Sequence, residues 1–266
     1  MSKGVILFAY NNRKFDYYKM AVATAKRINH FLDLPVTVVT DESTDTQTYG
    51  YTFDKTIINE ADTSNVREKS TWINKGRFNA YAFSPYDETI VLDTDYQINS
   101  TQLLKTFEYG NDLVCHNNTS VLMVPDAAQE KFSNYGTDTL WATVIRFNKS
   151  NYSKQVFECM KMIQDNYRHY VNVYRMLSIM YRNDFALTLA TRIVNGHMED
   201  KSLYLPWNLV HVGNNTTVYK NNDDEFCTEY TVMYDNWQRN KLRKEYITVS
   251  DMDFHMLNKK NFLELI

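Results

Sequence analysis

Glycine and proline are scarce in this sequence, with seven and four of them in 266 residues. Flexible linkers are built from these residues, and neither low-complexity tracts nor internal repeats interrupt the chain. The length and the 44% hydrophobic content are enough for a large buried core. We therefore predict one domain over residues 1–266.

Cysteine is also scarce, and the sequence has no long apolar run. Cys115, Cys159 and Cys227 are odd in number and widely spaced, which suits a reducing compartment better than a disulfide framework. The apolar run at residues 4–9 is too short for a membrane span and lacks the cleavage site of a signal peptide. The sequence therefore predicts a soluble cytoplasmic protein without a membrane span.

Positive charge is not in excess either. The formal net charge is -3 and the isoelectric point is near 6.1, so any contact with nucleic acid must be a local patch. The candidate patch has four cations in seven residues: Arg239, Lys241, Arg243 and Lys244. Such a run is usually a solvated face, and binding of nucleic-acid phosphates is the alternative.

Alternating strand and helix patterns fill the first part of the chain. Residues 4–10 and 36–41 are apolar or β-branched runs, as in buried strands, and residues 16–32 have apolar side chains at helical spacing. Strand, helix and strand in this order predict a parallel crossover and an α/β fold.

Further elements follow the same reasoning. We predict strands at residues 55–58, 89–92, 112–116, 120–125 and 143–147, and helices at residues 72–83 and about 154–182. Asp184 is placed to begin another helix as its N-cap. Short strands and loops are expected after residue 205.

Two carboxylates follow the most apolar of these strands. Ile90, Val91 and Leu92 are followed by Asp93 and Asp95. On an extended backbone, side chains two positions apart point the same way, so a cation or a proton is expected between these carboxylates. The carboxyl end of a strand is also where open α/β sheets bind ligands.

The C-terminal tail offers complementary groups. His255 supplies a neutral nitrogen, and Lys259 and Lys260 supply cations for phosphate. Carboxylates, an imidazole and diphosphate oxygens together suit Mn²⁺ or Mg²⁺. The alternative for His255 is a satisfied core histidine beside Phe254. Lys75 and Arg77, on the predicted helix before the carboxylates, are either surface cations or contacts to phosphate or sugar hydroxyls.

In their order along the chain, these motifs resemble those of glycosyltransferases with the GT-A fold. The resemblance is greatest to the glycogenin and galactosyltransferase-like group and to glycosyltransferases of tailed bacteriophages, which would place the protein in host cytoplasm. It implies an open, mostly parallel sheet flanked by helices. A Rossmann-like nucleotide-binding half would cover residues 1–100, with the acceptor side and the metal-binding tail in residues 101–266.

The resemblance also implies residue roles. Asp93, Asp95 and His255 would hold the divalent ion, Asp95 most directly. Asp184 would lie beside donor sugar and acceptor and would position or deprotonate the acceptor hydroxyl, so Asp95 and Asp184 are the catalytic candidates. The tail lacks the Gly and Lys-Pro-Trp ending of that group, so either Lys259 or Lys260 could contact the diphosphate. The remaining donor-binding candidates are Ala9, Tyr10, Asn11, Lys75, Arg77 and Thr94.

The implied activity is transfer of a hexosyl or pentosyl group from a nucleoside-diphosphate sugar, a UDP-sugar first among them, to a hydroxyl. A hydroxymethylated pyrimidine in phage DNA is one acceptor, and a glycan, a protein or a small molecule is the alternative. Nucleotidyltransferases also use acidic metal sites, but residues 9–12 lack their glycine-rich phosphate loop. A non-catalytic nucleotide-sugar-binding protein is the remaining alternative.

Overall fold

The computed structural model describes residues 1–67, 70–122, 130–238 and 241–266. The strands are β1 Lys3–Phe8, β2 Val36–Thr40, β3 Lys55–Ile58, β4 Val66–Arg67, β5 Ser70–Thr71, β6 Glu88–Leu92, β7 Tyr96–Gln97, β8 Leu113–His116, β9 Thr119–Val121, β10 Trp141–Asn148, β11 Leu209–Val212, β12 Thr217–Lys220, β13 Glu229–Gln238, β14 Lys241–Ser250 and β15 Phe254–Met256. The α-helices are α1 Tyr17–Leu32, α2 Ala80–Phe83, α3 Asn151–Asp165, α4 Tyr167–Tyr174, α5 Asn183–Val194 and α6 Lys259–Leu265. Short 3-10 helices lie at Lys75–Asn79, Gln102–Glu108 and Lys201–Leu203.

Six strands form the central sheet, in the order β3-β2-β1-β6-β10-β8. β1 pairs in parallel with β2 on one side and with β6 on the other, and β3 extends the parallel part beyond β2. β10 is antiparallel to both of its neighbours. The predicted mostly parallel α/β sheet is therefore confirmed.

Strands β1, β2 and β6 of the central sheet are buried on both faces, as their apolar runs predicted, whereas the edge strand β3 is mostly exposed. Val5 and Leu7 of β1 pack in one cluster with residues of α1, whereas Ile6 packs in another with residues of α3 and α5. Alternate side chains of a strand point to opposite faces of the sheet, so one continuous apolar strand contributes side chains to both apolar clusters.

A second sheet lies at the carboxyl end of β6, with the order β7-β15-β11-β9. β7 follows β6 through one turn, and the amide of Met256 in β15 donates to the Asp95 carbonyl at 2.9 Å. The antiparallel β12-β13-β14 sheet packs beside it with α6. The C-terminal part of the chain therefore returns to the end of the central strand.

Three element predictions are wrong in detail. Residues 154–182 do not form one helix: α3 ends before Asn166, α4 ends at Arg175 with φ 48°, and Leu177 is 57% exposed. The helix predicted at residues 72–83 is a 3-10 turn followed by α2. β9 covers only the start of the strand predicted at residues 120–125, and residues 123–125 lie outside the described residues.

Two other sequence features have a structural counterpart. All three cysteines are buried free thiols. Among the described helices, none combines the length and the apolar content needed to cross a membrane.

Candidate active site

Asp93 and Asp95 lie on a tight turn at the end of β6. The strand ends at Leu92, and the Tyr96 amide donates to the Asp93 carbonyl at 3.2 Å, which closes a four-residue turn. The predicted extended backbone through Asp95 is therefore wrong, because the turn and not strand alternation brings the carboxylates together. Asp95 is 4% exposed, so its charge requires partners.

His255 completes a cluster with these two carboxylates. It lies on β15 opposite Tyr96 of β7, and this antiparallel pairing carries its ring to the turn. His255 Nε2 is 3.2 Å from Asp95 Oδ1 and 3.8 Å from Asp93 Oδ2. One potential ligand atom from each of the three residues lies within 4.8 Å of the other two.

Two cations hold the outer oxygens of the carboxylates. Lys259 Nζ donates to Asp95 Oδ2 at 2.5 Å, and the Arg77 guanidinium donates to Asp93 Oδ1 and to the Ala142 carbonyl. Lys259 is the first residue of α6, whose N-cap Asn258 accepts from the Asn261 amide. The sequence alone did not indicate that these cations would pair with the carboxylates.

The charges in this cluster stabilise one another. Burial alone would raise the pKa of Asp95, but the Lys259 ammonium and the His255 ring hold it far below its usual range. Burial would likewise lower the pKa values of Lys259 and Arg77, yet each is raised by its carboxylate partner. Asp95 is therefore an anion and the two bases are cations at neutral pH.

The donor set fits a divalent cation such as Mn²⁺ or Mg²⁺. Asp93 Oδ2 and Asp95 Oδ1 both face His255 Nε2, while Arg77 and Lys259 hold the opposite oxygens. Two carboxylate oxygens and one imidazole nitrogen are ligands for these ions, and the nitrogen favours Mn²⁺ over Mg²⁺. The cationic partners orient the carboxylates as outer-shell groups do in metal sites.

A cavity of about 650 Å³ opens from this cluster. The predicted donor-binding residues Tyr10, Arg77, Thr94 and Lys259 line it. Apart from Tyr10, its aromatic lining was not predicted as part of a site, although the 14% aromatic content is a signal for such surfaces. The aromatic lining residues are Phe8, Tyr10, Phe15, Tyr17, Trp72 and Trp141.

Other predicted donor-binding residues have different contacts. Ala9 is fully buried and its amide donates to the Val39 carbonyl at 2.8 Å, while the Asn11 side chain accepts from the Tyr18 amide at 2.9 Å. Lys75 faces Asp62 at 3.5 Å.

The two lysines of the tail point to different places. The Lys260 side chain is 85% exposed and faces Glu264 at 3.9 Å. Lys259 alone of this pair lines the cavity.

Asp184 lines the cavity without capping a helix. It is the second residue of α5, whose N-cap is Arg182, so the N-cap prediction is wrong. Asp184 Oδ1 accepts from the Ala142 amide at 2.8 Å, and Oδ2 accepts from Arg182 at 3.1 Å. Against the effect of burial, chiefly Arg182 and then this amide lower the pKa of Asp184. Asp184 is therefore a paired carboxylate.

The candidate nucleic-acid patch lies on the β13-β14 hairpin. Arg243 and Lys244 are exposed on β14, opposite Asn236 and Asp235 of β13, and neither lines the cavity. Lys241 begins β14, and Arg239 lies outside the described residues.

His211 was not predicted as part of the site. Its Nδ1 lies 3.1 Å from His255 Nδ1, and its ring centroid lies 4.8 Å from that of Trp141. Burial, with a contribution from His255, lowers the pKa of His211 to about 3, so its ring is neutral at neutral pH. No sequence spacing indicates this contact, because it depends on the pairing of β11 with β15.

Comparison with known proteins gives no match to a protein-family model or to a curated protein. Solved structures with a similar fold include the apo glycosyltransferase GlyE of Streptococcus pneumoniae TIGR4, with 13% identity, a TM-score of 0.41, and coverage of 71% of this chain and 43% of that one. The chain thus spans less than half of the pneumococcal protein.

Two further structures have similar scores. The galactosyltransferase LgtC, in complex with donor and acceptor sugar analogs, has 13% identity and a TM-score of 0.47 over 70% of this chain and 69% of that one. Apo mouse xyloside xylosyltransferase 1 has 11% identity and a TM-score of 0.43 over 80% and 86%. In backbone fold, the chain is similar to these glycosyltransferases.

Proposed function

We propose that this protein is a metal-dependent glycosyltransferase that moves a sugar from a nucleoside-diphosphate sugar, preferentially a UDP-sugar, to a hydroxyl acceptor. The observation that carries the proposal is the Asp93, Asp95 and His255 cluster at the carboxyl end of the central parallel strand. It opens into a cavity large enough for a nucleotide sugar, with Lys259 at its wall.

The site residues divide the work of donor binding. A divalent ion held by Asp93, Asp95 and His255 would supply positive charge to the diphosphate leaving group. Lys259 adds a second cation on the same side of the cavity and can donate to a phosphate oxygen. Arg77 fixes Asp93 from behind, since its guanidinium is itself held by the Ala142 carbonyl.

Asp184 is assigned to positioning in this proposal. Its lowered pKa makes it a weak base, and both of its oxygens already accept hydrogen bonds. A carboxylate in this state accepts a hydrogen bond from a sugar or acceptor hydroxyl more readily than it removes the proton.

The deciding experiment is a donor panel of UDP-hexoses, UDP-pentoses and other nucleotide sugars, incubated with Mn²⁺, Mg²⁺ or a chelator. We expect metal-dependent release of a nucleoside diphosphate, and its loss in Asp95→Asn. Lys260→Ala, with its exposed side chain, is the control expected to retain activity. Unchanged turnover in Asp95→Asn would contradict the proposal. Release of pyrophosphate from a nucleoside triphosphate and a sugar phosphate, tested in parallel, would indicate a nucleotidyltransferase. Metal-dependent donor binding without turnover would indicate a binding protein.

The acceptor hydroxyl is tested separately. The DNA prediction requires salt-sensitive binding to duplex DNA that is lost when Arg239, Lys241, Arg243 and Lys244 are neutralised together. Absence of binding, or binding indifferent to these changes, would favour a glycan, a protein or a small molecule as acceptor.

A further inference from the structure

His211 and His255 are neighbours through the pairing of two strands. β11 runs parallel to β15 with His211 opposite His255, and the two rings meet with their Nδ1 atoms 3.1 Å apart. Both residues are buried, at 4% and 7% exposure. The contact is therefore built into the second sheet.

The distance between the rings determines where one proton lies. Two ring nitrogens at hydrogen-bond distance share one proton, so one nitrogen donates and the other accepts. A histidine that binds a metal through one nitrogen keeps its proton on the other. Because His255 Nε2 faces Asp93 and Asp95, metal binding requires the proton on His255 Nδ1 and a lone pair on His211 Nδ1.

We propose that His211 is a positioning residue for the metal ligand His255. Its unprotonated Nδ1 accepts the Nδ1–H of His255 and holds that ring with Nε2 turned toward the two carboxylates. The inference rests on the proposed metal site and extends it to a residue outside the ligand set.

A neutral imidazole suits this place for an electrostatic reason. Carboxylates and backbone carbonyls are the usual acceptors behind a metal-binding histidine. The carboxylates of Asp93 and Asp95 already face the His255 ring, and another anion beside that ring would add repulsion in the metal-free chain. His211 provides the acceptor without that charge, and the neighbouring Trp141 ring limits its movement.

The test is the affinity for Mn²⁺, measured without nucleotide by electron paramagnetic resonance of the free ion. His211→Leu removes the acceptor, whereas His211→Asn places an amide oxygen near the position of Nδ1. We expect about 10- to 100-fold weaker binding in His211→Leu and near-normal binding in His211→Asn. His116→Leu is the matched control, because His116 is also a buried histidine but its ring contacts Trp207.

The outcomes separate the two proposals. Unaltered affinity in His211→Leu, or equal loss in both His211 variants, would overturn the positioning role while the metal site stands. No uptake by the unaltered chain, or full uptake by Asp95→Asn, would overturn the metal site and this inference with it.

A second measurement does not depend on whether the variants fold. Nitrogen-15 chemical shifts of the imidazoles in the Mg²⁺-loaded chain report which nitrogen carries the proton. We expect the proton on Nδ1 of His255 and on Nε2 of His211. A proton on Nδ1 of His211 would overturn the inference.

Discussion

At the scale of single residues, the structure pairs each site carboxylate with one cation. Arg77 is 8% exposed and Lys259 is similarly buried, so removal of either leaves a carboxylate with an unpaired oxygen. The contacts of Lys259 and Lys260 differ although the two residues are adjacent. This contrast gives an internal control for the role of charge.

Lys259→Met should weaken UDP binding in the presence of Mn²⁺. A hydrogen bond to a charged group contributes about 1.5–3 kcal/mol, so we expect affinity to fall roughly tenfold or more. Lys260→Met should bind UDP as the unaltered chain does, because its side chain is 85% exposed and faces Glu264. Titration calorimetry makes the comparison, and equal losses in both variants would refute the assignment of Lys259.

His116 should make the protein sensitive to acid. Burial lowers its pKa from 6.5 to about 3, and neither ring nitrogen has a hydrogen-bond partner among the described residues. Above pH 6.5 the ring is neutral in both the folded and unfolded states. As pH falls from 6.5 toward 3, only the unfolded chain takes up the proton, so unfolding becomes easier by about 1.4 kcal/mol per pH unit.

His116→Phe should remove that share of the pH dependence. Urea unfolding at pH 7.5 and pH 5 measures it, with an expected difference of about 2 kcal/mol between the two chains. His169→Phe, at an exposed position of α4, should keep the original dependence. If His116→Phe keeps it as well, protonation of His116 is not linked to unfolding.

At the scale of elements, β1 is the strand on which the central sheet is assembled. It pairs with β2 and β6, and the ring of Tyr86 covers its second residue, Gly4. A Cβ at Gly4 would lie 2.4 Å from the Tyr86 ring, whose hydroxyl is hydrogen-bonded to Thr37 at 3.0 Å. The glycine therefore permits close packing, and the strand depends on it.

Gly4→Ala should destabilise the protein by about 1–3 kcal/mol, as overpacking of a core does. Gly110→Ala is the matched control, because no heavy atom lies within 4 Å of a Cβ there. Urea unfolding of both variants measures the difference. If the Gly4→Ala variant is as stable as Gly110→Ala, the Tyr86 ring moves aside without loss of stability.

The elements also show what can be predicted from sequence. The predicted ends of β2 and β3 agree with the observed ends to within one residue. A short run of β-branched residues bounded by polar ones favours a strand over other local structures. The helix predicted through residue 182 failed, since apolar spacing continues past Asn166 while the backbone does not. The spacing of apolar residues indicates which side of a helix is buried, but it does not show where one helix ends and the next begins.

The candidate metal-binding residues of the site could be predicted from the sequence, but the residues that hold them in place could not. Asp93, Asp95 and His255 have the chemistry of metal ligands, and the structure brings them together. The Arg77 and Lys259 pairs, the contact with His211 and the Trp141 wall depend on pairing between distant strands. Such pairing leaves no fixed spacing in the sequence.

At the scale of the whole molecule, the site joins the central sheet to the second sheet. Asp93 and Asp95 follow β6, whereas His255 and Lys259 come from β15 and α6. A ligand that binds all of them therefore resists separation of these parts. Stability should depend on the metal concentration.

Saturating Mn²⁺ should raise the thermal unfolding midpoint relative to a chelator. At a concentration 100 times the dissociation constant, the gain is about 2.7 kcal/mol. For a chain of this size, each kcal/mol corresponds to about 2–4 °C. The Asp93→Asn and Asp95→Asn double variant should show no such rise, and an equal rise would mean that Mn²⁺ binds elsewhere.

The distance along the chain between these parts has a consequence for synthesis on the ribosome. Lys259 lies 164 residues after Asp95, and every strand of the central sheet ends before α3 begins. The central sheet can therefore begin to fold before the ribosome has added His255 and Lys259 to the chain. We expect a fragment ending at Ser250 to take up no Mn²⁺. Incomplete chains released during translation would therefore have no metal-dependent activity.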